Sequence, residues 1–135
     1  MKELLTIVAI TIIILILDSI MIGGILNKEW THTVNTVQNS PMKIKPIYAV
    51  ITYVFVVLGA YIFVYQKISK ENWVMDSIKW GFLWGIITYG IFDFTNLTIF
   101  KDYHLKTAIL DTLWGGTLAS ITVLITYFLM NKLKV

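Results

Sequence analysis

Cysteine is absent from this chain. Its absence excludes a disulfide scaffold, a thiol nucleophile and any Cys-based zinc or iron–sulfur site. Charge is scarce too: 14% of the residues are charged, against about 25% in soluble domains. Arginine is missing, so every basic residue is Lys, and isoleucine is abundant, a bias that an AT-rich genome would produce. No Gly-rich phosphate loop, Gly-x-Ser-x-Gly elbow or His-Glu-x-x-His occurs, and no cofactor is expected. What the chain has in excess is apolar surface. Of its 135 residues 57% are hydrophobic, and the mean hydropathy is +0.75. The net charge is +3, but the lysines are scattered and flank apolar runs. That is the pattern of a membrane protein, so the lipid bilayer is the expected partner and nucleic acid is not.

A membrane-spanning helix needs about 20 mostly apolar residues to cross about 30 Å of hydrocarbon. Four segments qualify, at about 4–26, 46–65, 77–100 and 107–130. They are too long for strands and lack the alternation of an outer-membrane barrel. The expected fold is therefore all-α, an integral membrane bundle of four transmembrane helices making a single domain over 1–135. The first segment follows Lys2, as a signal peptide would, but it is long, contains Asp18 and meets no Ala-x-Ala site, so it reads as a retained helix. The longest link, Asn27 to Lys45, carries Trp30, Val34 and Val37 at i, i+4, i+7 spacing. That spacing fits a short interfacial helix with Trp30 at headgroup depth; an ordered extramembrane loop fits equally. Trp73, Trp80 and Trp84 cluster at the third helix entry as an aromatic belt would.

Four spans place both termini on one side. That side holds Lys2, Lys67, Lys70, Lys79, Lys132 and Lys134; the other holds Lys28, Lys43, Lys45, Lys101 and Lys106. Six against five leans to cytoplasmic termini under the positive-inside rule.

Three carboxylates stand inside the apolar spans: Asp18, Asp93 and Asp111. Each costs about 2.5–3.5 kcal/mol at a helix centre, and no lysine lies deep enough to pair with them. Asp18 and Asp93 lie past the midpoints of the first and third helices, and Asp111 before the midpoint of the antiparallel fourth. All three therefore fall in the same leaflet half. Asn96 and Tyr89 share a helix face with Asp93, and Trp114 shares one with Asp111. Lys43 and Lys45 sit at the mouth of the second helix on that side. Asp18, Asp93, Asn96 and Asp111 are thus candidate ligands for an ion or headgroup, supported by Tyr89, Trp114, Lys43 and Lys45. The bland alternative is polar glue between helices, worth about 0.6 kcal/mol per hydrogen bond. The glycines from Gly59 to Gly116 read as close helix contacts. The sequon Asn96-Leu97-Thr98 lies too deep for glycosylation. His32 and His104, far apart in sequence and without metal-ligand spacing, read as solvated or interfacial; the residues name no metal.

The run Tyr89-Gly90-Ile91-Phe92-Asp93-Phe94-Thr95-Asn96-Leu97, then Leu110-Asp111-Thr112-Leu113-Trp114-Gly115, resembles the paired signature of an uncharacterised membrane-protein family, the domain of unknown function DUF 2177. Leu17-Asp18 with Gly23, and Met42 to Pro46 with Tyr53 and Gly59, resemble its first and second helices. Phe92 stands where the family usually has Tyr, Met21 where it has Trp, and Tyr103-His104 where it has Trp-Pro. The resemblance implies a four-helix membrane protein of bacterial type, with similar copies in large DNA viruses, and supplies no activity.

Three functions compete. A binding or transport protein would use the acidic cluster to hold a proton, a cation or a lipid headgroup, and its small size implies a homo-oligomer. A structural or assembly subunit would use the cluster to hold the bundle together. An intramembrane aspartyl enzyme, the remotest reading, would pair Asp93 with Asp111. Presenilin-like proteases pair Tyr-Asp with Gly-x-Gly-Asp; here Phe92-Asp93 alters the first, and Ile109-Leu110-Asp111 lacks the second.

Overall fold

The computed structural model describes residues 1–133; Lys134, counted above among the terminal lysines, lies outside the described residues. Regular structure there is entirely helical. Helix α1 (Lys2–Ile20) continues through a wide π turn, Met21–Ile25, and α2 spans Asn27–Gln38. Helix α3 (Pro46–Gly59) continues through a second π turn, Ala60–Val64, and a 3-10 turn, Tyr65–Lys67. Two long helices follow, α4 (Trp73–Ile99) and α5 (Leu105–Lys132). Four continuous spans of 24, 22, 27 and 28 residues result, each long and apolar enough to cross a membrane.

Local chemistry sets the ends. Pro46 opens α3 where its missing N–H costs nothing, and Lys45 before it is extended. Asn39 closes α2 in the left-handed region at φ 52°, a conformation Asn tolerates better than most residues. Helix α4 starts at Trp73, a turn earlier than hydropathy places it. Asp76 in its first turn accepts hydrogen bonds from the Ser69 N–H (2.9 Å) and hydroxyl (2.6 Å), which fixes the preceding loop against the helix.

Helix α5 is the hub. In its most apolar stretch 61% of residues are buried, against 22% for the first span, 17% for the second and 11% for the third. Its inward faces carry Thr107, Thr112, Ser120, Thr122 and Thr126, all buried. The outward faces of the other spans carry Ile12, Phe55, Phe63, Ile91 and similar large apolar residues. This arrangement suits a hydrocarbon solvent, where small residues let helices approach and apolar bulk faces outward. Helices α4 and α5 pack antiparallel along their length. A Cβ at Gly81 would stand 2.6 Å from the Ser120 Cα, and one at Gly85 would strike the Gly115 carbonyl. The Ser120 hydroxyl donates across this seam to the Ile78 carbonyl at 3.1 Å. On the opposite side, Ile10 and Ile14 of α1 and Val56, Val57, Ala60 and Val64 of the second span meet Trp114, Leu118 and Val123 of α5.

Candidate functional site

The three acids converge around the first half of α5. Asp18, in the last turn of α1, accepts from the Tyr53 hydroxyl at 2.6 Å and from the Trp114 indole N–H at 2.9 Å. Asp93 accepts from the Tyr103 hydroxyl at 2.8 Å and more weakly from Thr112 at 3.4 Å. Asp111 accepts from the Trp30 indole N–H at 3.3 Å. Asp93 of α4 and Asp111 of α5 are both buried in this cluster, and Thr112, next to Asp111, is the residue that links α5 to Asp93. All three are buried, Asp93 completely. Four of the five donors are aromatic side chains, which bring a polar tip to the acid on an apolar body. Burial and the hydrogen bond to Asp93 hold the Tyr103 phenol above its ordinary range, so it remains a donor.

A cavity of about 360 Å³ opens onto this cluster. Asp18, Asp111, Tyr89 and Trp30 line its polar part; Ile22, Ile44, Val56 and Phe92 are among its apolar walls. Ile44 and Phe92 are exposed, so the cavity opens onto the outer surface of the bundle. Tyr89 is set by its neighbour across the helix pair: its ring fills the space above Gly115, where any Cβ would collide with it. Its hydroxyl makes no hydrogen bond among the described residues, and Tyr89 borders the cavity. Asp93 does not line the cavity.

The remaining sequence candidates are placed differently. Asn96 is half-buried one turn beyond Asp93 and borders a separate, smaller crevice with Trp30, Val37 and Tyr103. Lys43 and Lys45 are exposed and stay outside the cavity, although their neighbours Met42 and Ile44 line it. Asn35 holds that strap in place by accepting the Met42 N–H at 2.8 Å.

Helix α2 is the part sequence reasoning placed least well. It is helical, and Trp30 turns inward to donate to Asp111. Thr33 bonds Thr107 at 2.7 Å and His104 at 2.9 Å, and Glu29 pairs with Lys106. His32 and His104, distant in sequence, have ring centroids 4.6 Å apart because α2 lies over the start of α5. The pair with Lys106 holds the Glu29 carboxyl below the usual carboxylate range. Tyr53 and Tyr103 were also not singled out as ligands of the acids. Their signal was chemical: a phenol among apolar residues needs a partner for its hydroxyl.

Comparison with protein-family profiles matches residues 3–128 to a family described as predicted membrane protein (DUF2177). The chain belongs to that family. The match covers all three acids and most of α5, so the cluster lies wholly within the DUF2177 region. No curated protein and no solved structure matches the chain. As a DUF2177 member with four apolar spans it is an integral membrane protein of unknown activity.

Proposed function

We propose that the protein is a small membrane-embedded binding or transport protein whose acidic cluster takes a proton or the ammonium group of a lipid headgroup. The observation that carries this reading is the cavity: its walls are largely apolar, it opens onto the outer surface of the bundle, and Asp18, Asp111 and Tyr89 border it. An amphipathic ligand with an ammonium head matches both surfaces, since buried carboxylates in a membrane recruit a partner of opposite charge. No set of three His or acidic side chains is gathered in metal-binding geometry among the described residues. That favours an organic ammonium or a proton over a bare metal ion. Four helices are few for a complete permeation path, so transport would proceed in a homo-oligomer, with cytoplasmic termini on the lysine count.

Two features sharpen the alternatives. Both Asp18 oxygens already accept a hydrogen bond, which is what a structural cluster would require. The positions of Asp93 and Asp111, one on each of two adjacent antiparallel helices, are what an aspartyl pair would require. Catalysis, however, needs both acids to face one water and the substrate, and Asp93 is sealed behind Tyr103 and Thr112.

Native mass spectrometry in mild detergent tests the proposal, with phosphatidylethanolamine against phosphatidylcholine as probes. Wild type is expected to retain the primary amine preferentially and to release it on acidification. Asp111→Asn, which keeps an oxygen for Trp30, is expected to lose that preference while staying folded. Unchanged retention in a variant that only melts earlier would make the cluster structural. The same spectra report the oligomeric state.

A further inference from the structure

The opposite end of the bundle carries a second cavity of different chemistry. There the start of α1, the end of the second span, the loop before α4 and the end of α5 meet around a crevice of about 360 Å³. That volume lies within the range of small-ligand sites, about 300–1,000 Å³. Tyr65 and Tyr127, with ring centroids 5.8 Å apart, form its wall, and Trp73 stacks on Tyr127 at 5.7 Å. Lys2, Lys70, Gln66 and Asn131 border it, as does one acid, Glu3.

The described lysines at this end divide into two sets. Lys67 and Lys79 lie over the Trp80 ring at 5.0 and 4.8 Å, and Lys132 lies over Phe128 at 5.0 Å. These three are occupied by ring faces. Among the described residues Lys2 and Lys70 have neither a ring partner nor a carboxylate within salt-bridge distance; the ion pair found there is Lys106–Glu29 at the other end. The two uncommitted lysines are the ones that border the crevice. Their setting is held in place. The Lys2 carbonyl accepts from Thr6, and the loop bearing Lys70 is tied to α4 through Ser69 and Asp76. The side-chain amides of Gln66 and Asn131 make no hydrogen bond to the described residues and add neutral donors. Two lysines less Glu3 leave a net charge of +1 on the rim.

We infer that this crevice binds a phosphate group, as the headgroup of an anionic lipid or as a free anion. Lysines and amide donors at the membrane end of a helix bundle suit a phosphate, and basic pockets between transmembrane helices bind anionic headgroups. The site lies at the far end from the acids and prefers the opposite charge, so it stands independently of the function proposed above.

The test uses the full chain in mild detergent, with native mass spectrometry of bound phosphatidylglycerol against phosphatidylcholine. Wild type is expected to prefer phosphatidylglycerol. Lys2→Gln/Lys70→Gln is expected to weaken that retention by roughly fivefold for each lysine removed. Lys67→Gln/Lys132→Gln removes the same charge from the same end and is expected to leave retention largely intact. Lys2→Arg/Lys70→Arg, which keeps both charges, is expected to keep the preference, which separates binding from folding. Competition by inorganic phosphate would assign the crevice to a free anion; its failure to compete would assign it to a lipid headgroup. Equal losses in the two glutamine doubles, or no preference in the wild type, would overturn the inference. Asp111→Asn is expected to leave this preference unchanged.

Discussion

The seam between α4 and α5 and the space between α1 and α3 are built on different principles. Along the seam, backbone meets backbone at Gly81, Gly85 and Gly115, and no cavity opens there among the principal ones. Between α1 and α3, the packing is thinner. One apolar groove lies along Ile7, Thr11, Val50 and Val57, and the acid-bordered cavity follows below it. The first region is a rigid support, and the second is where a ligand could enter. Asp111 and Trp114 belong to the rigid helix and face the loose side, so the supporting pair presents the acid to the cavity.

Breaking the support is expected to have the largest effect. Gly85→Val drives a side chain into the Gly115 carbonyl and Gly116 Cα. Overpacking costs about 1–3 kcal/mol, and more where backbone must move. The variant is expected to lose its single elution peak in detergent or to melt well below wild type. Gly23→Val, with nothing within 4 Å of its Cβ site, is the matched control and is expected to cost far less. Equal damage at the two positions would erase the distinction between the regions.

An intermediate effect is expected at Tyr53→Phe, which removes one donor from Asp18 on the loose side. Hydrogen bonds inside membranes average about 0.6 kcal/mol and reach about 1.7. Urea or thermal unfolding in detergent should place this variant between the two glycine substitutions. A loss as large as that of Gly85→Val would show the acid network, not the helix seam, to be the main support.

The smallest effect is expected at the α2 clasp. Glu29 is paired with Lys106, so its carboxyl is held below its ordinary value of 4.5. A lowered acid contributes stability above that value and loses it as pH falls through its folded value. The pair is exposed and screened by salt, so its contribution is small. The difference in Tm between wild type and Glu29→Gln is expected to be slight at pH 7 and to vanish in acid or high salt. A difference that persists in acid would assign the effect to packing.

Much of the architecture was legible because the bilayer is a simple solvent. Long apolar runs such as Pro46 to Tyr65 admit few alternatives to a helix, and the positions of Asp18, Asp93 and Asp111 along antiparallel helices place them in one half. Which donors meet them was not legible. Trp30, Tyr53 and Tyr103 reach the acids from α2, α3 and the last loop, contacts 81, 35 and 10 residues apart in sequence. Such pairings depend on how helices rotate about their axes, which hydropathy does not specify. The inward turn of Trp30 was hidden for a related reason. Tryptophan beside a span usually marks the interface, and here the wide turn at Met21–Ile25 carries α2 back over α5.

The interior of α5 has a consequence for how the chain enters a membrane. Its buried threonines and Asp111 make it a poor candidate for lone insertion, because polar faces exposed to hydrocarbon are costly. Its partner α4 follows the same problem in reverse, with Asp93 facing the same seam. Only the short link from Phe100 to His104 separates them. The two helices are therefore suited to leave the insertion machinery together, as a hairpin whose polar faces shield each other before either meets lipid.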